Sequence, residues 1–308
     1  MYYGNYIISY RTCQYSSFFS TIFLYNDKCM AKFGAHLSIS GGYIKAVERI
    51  VEYGGDCLQI FSSSPRMWND AKITKDQKDM FLSVRERWQI DPIYFHAVYL
   101  VNLADSGLTG ERSVQSLVRE LQLASELQIR GSIVHLGSFL KDENAHKYDI
   151  LLNRIQDVLK RTPRDTLFII ENAGTRKIGK SLDEVARIVR DLKNDRVRVC
   201  LDTCHLFATG YDLSTQEKLD SFLDEFEKKI GLSKLEVWHV NDSRDTLGSY
   251  RDRHENIGEG NMPTDVFRLL LHHEKTKGMP FIIETPGFDQ KGPDKKNLDI
   301  LKGYGDMK

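Results

Sequence analysis

"VRVCLDTCHLFATGYD" runs from Val197 to Asp212, and its largely apolar start stops on an acid, Asp202, with a His three residues further on. A strand that ends at Asp202, with Cys204 and His205 in the turn beyond, presents several metal donors within one turn of chain. The plainer alternative is a strand end with a capping Asp and a buried Cys, since Asp often caps after a strand and Cys often packs as a small hydrophobe. Other strand ends decide between the two, and they also decide the fold.

Working outward, short apolar runs alternate with amphipathic segments of helical spacing from Phe33 onward. The strand candidates are 33–36, 57–61, 93–97, 132–136, 167–171, 197–202, 235–240 and 281–284. The helix candidates are 42–53, 75–89, 111–128, 146–161, 181–193, 215–230 and 263–276. Ser181 with Glu184, and Ser214-Thr215 before Glu217, read as helix starts, and Pro263 stands where a first-turn proline would. Strands that are apolar throughout suit a sheet with helices on one face and a packed interior on the other. Eight strand–helix alternations without a break in composition predict an α/β protein, a single (β/α)8 TIM barrel over residues 32–308, with chemistry at the C-terminal ends of its strands. The rival is an open, doubly wound sheet.

Residues 1–29 differ from the rest: the first 25 hold no acid, one Arg and a surplus of Tyr, Phe and Ser. They lack the basic start and small-residue cleavage site of a signal peptide. We expect 1–31 to be an N-terminal extension outside the fold. The five Cys are an odd, scattered set that makes no disulfide framework and suits a reducing compartment. No apolar stretch reaches membrane-spanning length. A formal net charge of zero leaves polyanion binding to local basic residues or to metal cations.

Read in order, the strand ends carry His36, His96, His135, Glu171, Asp202, His239 and Glu284, with His205 beyond the sixth strand and "DRH" (Asp252 to His254) in the loop after the seventh. A lone His at a strand end is usually a hydrogen-bonded core residue. Five of the nine His together with four carboxylates on one rim are different, because so many buried acids and imidazoles without cations leave unpaired charge. Asp252 and His254 are two apart, so an extended backbone points both one way and Arg253 the other. Imidazoles mixed with carboxylates suit zinc or another first-row metal. Nine donors exceed what one or two ions need, and with one bridging carboxylate they suit three. Cys200 and Cys204 are read as packing residues.

With these residues in place the chain resembles the endonuclease IV family, the zinc-dependent apurinic/apyrimidinic endonucleases of base excision repair. The matching stretches are "GAHLSISGG" (34–42), "FHAVYLVNLA" (95–104), "IVHLGS" (133–138), "IIENAG" (169–174), "CLDTCHLFATGYD" (200–212), "WHVNDS" (238–243), "DRHENIGEG" (252–260) and "FIIETP" (281–286). They run in family order from Phe33 to about Gly287. Val98 stands where the family often has Pro, and "ENAGT" is shorter than its usual form.

The resemblance implies that His96, His135 and Glu171 hold a first zinc. Glu171, the residue expected to be catalytic, would bridge to a second held by Asp202, His239 and Glu284, and His205, Asp252 and His254 would hold a third. Manganese could replace zinc at some sites. The implied substrate is double-stranded DNA, cut on the 5′ side of an abasic site to leave a 3′-hydroxyl and a 5′-deoxyribose phosphate, with removal of blocking groups from 3′ ends as well. "SSSPRMW" (62–68) and "VYLVN" (98–102) resemble the family's DNA-reading loops, which would place Arg66 in the minor groove and make Tyr99 and Leu100 a wedge against the base stack. The expected enzyme is monomeric and cytoplasmic, without a membrane partner. Metal-dependent sugar isomerases and epimerases share such barrels but would need only one or two ions, and a non-catalytic DNA-binding relative should have lost ligands.

Overall fold

The computed structural model describes residues 31–69, 71–139 and 144–306. The strands are β1 (Lys32–Leu37), β2 (Cys57–Phe61), β3 (Ile93–His96), β4 (Gly131–Val134), β5 (Leu167–Glu171), β6 (Val197–Asp202), β7 (Leu235–His239), β8 (Asp242–Ser243), β9 (His254–Glu255) and β10 (Pro280–Ile283). The α-helices are α1 (Tyr43–Glu52), α2 (Lys75–Trp88), α3 (Leu108–Glu126), α4 (Ala145–Arg161), α5 (Leu182–Leu192), α6 (Thr203–Ala208), α7 (Gln216–Lys229), α8 (Asp265–His272) and α9 (Lys295–Asp306).

Eight strands run parallel and close in the order β1-β10-β7-β6-β5-β4-β3-β2. An open sheet would leave two free edges; here β1 pairs with both β2 and β10, so the doubly wound alternative is excluded. β8 and β9 form a separate antiparallel ribbon after β7.

Side chains alternate along each strand, so every barrel strand turns one set inward and the other toward the helices. The inward set packs in two layers. The lower is apolar and includes Cys57, Tyr94, Ile133, Ile169, Cys200, Val237 and Ile282. The upper lies two residues further along each strand, at the carboxyl ends. It comprises His36 and Gln59, then His96, His135 and Glu171, and finally Asp202, His239 and Glu284. Between strands and helices lies the larger core, with Leu58, Phe95, Phe168, Trp238 and Phe281 wholly buried. With the lower layer buried and apolar, the upper one forms the floor of a cavity at the carboxyl end.

Local signals hold with adjustments. Ser181 caps α5 by accepting from Glu184 N, and Thr215 caps α7 by accepting from Lys218 N, so Glu217 is not the third residue of a capping box there. Pro263 lies ahead of the α8 cap, Thr264, rather than in the first turn. α8 ends at His272, four residues short of the expected end, because His273 is extended. Helices α6 and α9 were not expected. Ala31, placed with the extension by sequence, packs against the core, while residues 1–30 lie outside the described residues.

Candidate metal centre

Glu171 ends β5 wholly buried, and its two oxygens face different partners. Oε2 lies 3.2 Å from His96 Nε2 and 3.2 Å from His135 Nε2, from the ends of β3 and β4. Oε1 lies 3.1 Å from His239 Nδ1 at the end of β7. His239 Nδ1 is also 3.4 Å from Glu284 Oε2 and 3.9 Å from Asp202 Oδ2. One carboxylate is thus shared between two groups of donors.

A third group stands beside them. His205 Nε2 is 3.0 Å from Asp252 Oδ1, His254 Nε2 is 3.5 Å from the same oxygen, and the two nitrogens are 3.4 Å apart. Arg253 turns away to pair with Asp245, as the alternation required. The ribbon sets this geometry by pairing Ser243 with His254. Gly174 leaves room for it, since a Cβ there would come within 2.7 Å of the His205 ring and 3.1 Å of the Asp252 Cβ.

Asp202 settles the question its sequence raised by filling both roles. Its Oδ1 accepts from His205 N and caps α6, while Oδ2 accepts from Asn241 Nδ2 and faces the site. Helix α6, rather than a turn, aims His205. Asn172 accepts from Asp202 N through its side chain and faces His205 Nδ1 through its carbonyl. Sequence reasoning passed over Asn172, Asn241, Gln59 and Gly174; the first two stand directly after Glu171 and near His239, the only signal available.

The donors fit divalent metal on their own chemistry. The Nδ1 atoms of His96, His205 and His254 lie 2.8, 2.9 and 3.2 Å from the carbonyls of Ala97, Asn172 and Glu284. Carbonyls only accept, so these nitrogens carry hydrogens, which leaves each Nε2 as the atom able to offer a lone pair to a cation in the site. In the third group two such lone pairs and a carboxylate oxygen converge, an arrangement that a cation completes. Among the described residues four sets of donors lie close enough to share an ion, including the two expected triads and the expected quartet. The fourth set joins Asp202 and His254 through Cys204, but burial pushes that thiol up and disfavours the thiolate a metal needs. Cys200 is likewise buried, its pKa pushed up to about 12.

Charge follows the same geometry. Burial alone would raise the Glu171 carboxyl, yet the imidazoles of His135 and His239 outweigh it and hold it well below the usual carboxylate range. Burial lowers His135 to about 4, keeping that ring neutral and able to donate its lone pair. His96, His205 and His239 are lowered by burial, but their neighbours hold each above the ordinary imidazole value. Those neighbours are Glu171 for His96, Asp202 and Asp252 for His205, and Cys200, Glu284 and Glu171 for His239.

A sign follows for stability. Above the unfolded-state value of about 6.5, the folded metal-free chain holds more protons on these three rings than the unfolded chain, so its stability falls as pH rises. His135 is neutral in both states there and adds no slope. Metal binding displaces protons and strengthens as pH rises. The gain in melting temperature on adding zinc should therefore be larger at about pH 8 than at about pH 6. Equal gains, or a larger one at the lower pH, would contradict this charge assignment.

The mouth is a cavity of about 820 Å³ lined by His36, His96, His135, His205, Asp252 and Glu284, with Tyr99, Pro65 and Lys291 around it. Tyr99 is 63 % and Leu100 37 % exposed despite their size. Tyr99 N donates to Pro65 O, tying the loop after β3 to the loop that carries exposed Arg66. The Tyr99 ring packs edge-on against Phe61 and stands 6.2 Å from the His96 ring. Of the three expected DNA-reading residues Tyr99 lines the cavity, while Leu100 and Arg66 directly follow the lining residues Tyr99 and Pro65 in the chain.

A closed eight-stranded barrel with carboxylate and imidazole donors at its carboxyl ends defines a class, and residues 47–304 match the family model described as a xylose isomerase-like TIM barrel. Within that class the relatives are consistent. "Probable endonuclease 4" of Persephonella marina is 36 % identical over 279 residues, covering 89 % of this chain and 96 % of its own. The same-named protein of Haloarcula marismortui is 36 % identical over 261 residues, covering 83 % and 93 %. The crystal structure of endonuclease IV from Thermus thermophilus superimposes with a TM-score of 0.78 at 32 % identity, covering 89 % of this chain and 98 % of that one. The chain belongs to the endonuclease IV family. A D-tagatose 3-epimerase-like protein, at TM-score 0.67 and 20 % identity, shares the fold alone.

Proposed function

We propose that this chain is a zinc-dependent DNA repair endonuclease. It would hydrolyse the phosphodiester 5′ to an abasic site in duplex DNA, leaving a 3′-hydroxyl and a 5′-deoxyribose phosphate, and would clear blocking groups from 3′ ends. The observation that carries this reading is the third group, His205 with Asp252 and His254, set beside the two that share Glu171. A barrel acting on a small sugar has no need of that third group, and the endonuclease IV relatives supply the matching reaction.

Zinc ions held there would supply Lewis acidity that activates water and neutralises phosphate during in-line displacement. The chain's own residues do the rest. Glu171 holds the first two groups at fixed separation through its two oxygens. Asp202 is fixed by Asn172, Asn241 and the α6 backbone, so it can hold its orientation while charge builds on a phosphate. Arg66, Tyr99 and Leu100 would keep the duplex kinked over the cavity.

Among the described residues no helix is long and apolar enough to cross a membrane. The reading places a monomeric enzyme in the cytoplasm with its DNA, and residues 1–30 outside the catalytic fold. Elemental analysis of purified protein should return about three divalent ions per chain, mainly zinc with some manganese, since nine donors with one shared carboxylate match three ions. One ion or none would overturn the reading.

A further inference from the structure

Of the eight inward residues in the carboxyl-end layer, six belong to the donor groups and two, His36 and Gln59, do not. Gln59 is wholly buried in mid-β2, and its amide reaches three members of the layer. Nε2 donates to Glu284 Oε1 and lies 2.9 Å from His36 Nδ1, and Oε1 lies 2.7 Å from His239 Nε2.

Elimination gives the direction of each bond. Glu284 Oε1 also lies 2.7 Å from His36 Nδ1, and as an ion ligand Glu284 serves as a carboxylate, so its oxygens only accept. The amide NH2 must face it, because the flipped amide would set a carbonyl against a carboxylate. The Gln59 carbonyl then faces His239 Nε2, which must carry the hydrogen. Nδ1 of His239 is then the nitrogen left to offer a lone pair to an ion, and it faces Glu171 Oε1, Glu284 Oε2 and Asp202 Oδ2. The geometry points to Gln59 as the positioning residue that fixes the His239 tautomer and aims Glu284, so that both turn donor atoms toward one ion. This inference rests on the metal reading above.

His96, His205 and His254 turn Nε2 into the site and have backbone carbonyls behind Nδ1. His239 is reversed: it offers Nδ1, so Nε2 points into the barrel interior, where strand pairing already occupies the carbonyls. A side-chain acceptor has to serve there. Outer partners of this kind typically change metal affinity by about 10–100-fold.

The test uses zinc competition titration and proton NMR on the full chain. For Gln59→Leu we expect one ion of the set to bind about 10–100-fold more weakly and the others within about twofold. The downfield Nε2–H resonance of His239 in the zinc-loaded parent should move upfield in this variant, a change that loosened packing elsewhere would not produce. Should Gln59→Leu fail to fold, Gln59→Glu keeps the shape and the acceptor for His239 but loses the donor to Glu284. It should keep the resonance and still weaken the same ion. Unchanged affinity for every ion in the folded variant, with the His239 resonance in place in Gln59→Leu, overturns the inference while leaving the metal reading intact. A parent that binds no zinc overturns both.

Discussion

Glu171→Gln is expected to lower incision of an abasic duplex by about a thousandfold, the upper end of what losing one preorganised charge costs. The substitution keeps shape and volume at a wholly buried position, so the barrel should persist. The charge shared by two donor groups is lost, however. Wherever the amide settles, an NH2 hydrogen replaces an acceptor, facing either the lone pairs of His96 and His135 or that of His239. At least one group loses a donor atom, and the NH2 hydrogens take up the imidazole lone pairs that a cation would need. Single-turnover incision measured beside circular dichroism checks this. A folded variant with near-normal turnover would mean that Glu171 does not link the two groups.

The second large effect concerns how damage is found. Tyr99, which lines the cavity, and Leu100 directly after it stand exposed, outside every donor group. If they act as a wedge, they stabilise kinked, unstacked duplex and take no part in hydrolysis. Unstacking costs a few kcal/mol per step and less where a base is missing, and each 1.4 kcal/mol is a factor of ten. The double variant Tyr99→Ala, Leu100→Ala should therefore lose about tenfold to a hundredfold in preference for abasic over intact duplex, compared at one fixed salt concentration. Its zinc content and its rate at saturating DNA should change little. Retention of the parent's preference ratio would make these loops structural and place recognition elsewhere.

Much of this was legible in the sequence because the information was local. Most barrel strands are short apolar runs that end at a chemically distinctive inward residue, so Val237-Trp238-His239 or Ile169-Ile170-Glu171 announces both strand and donor. The alternation around Arg253 was equally plain. What stayed hidden depends on register between distant segments. Gln59 lies mid-strand, and only the pairing of His36 with Gln59 brings it level with the donor layer. His205 reads as part of a turn because α6 is six residues long and its cap, Asp202, belongs to a strand. The ribbon of β8 and β9 is two residues a side, too short for a periodic signal. Helix α9 carries Gly303 and Gly305 near its end, which masks its pattern.

The most direct test of the central claim is incision of a duplex carrying a single abasic site, by protein as purified, after chelation, and after zinc is restored. The account predicts one cut on the 5′ side of the lesion leaving a 3′-hydroxyl, lost on chelation, regained with zinc, and absent from intact duplex. Cutting that survives complete removal of metal, or zinc-loaded protein that leaves the abasic strand whole, would contradict it.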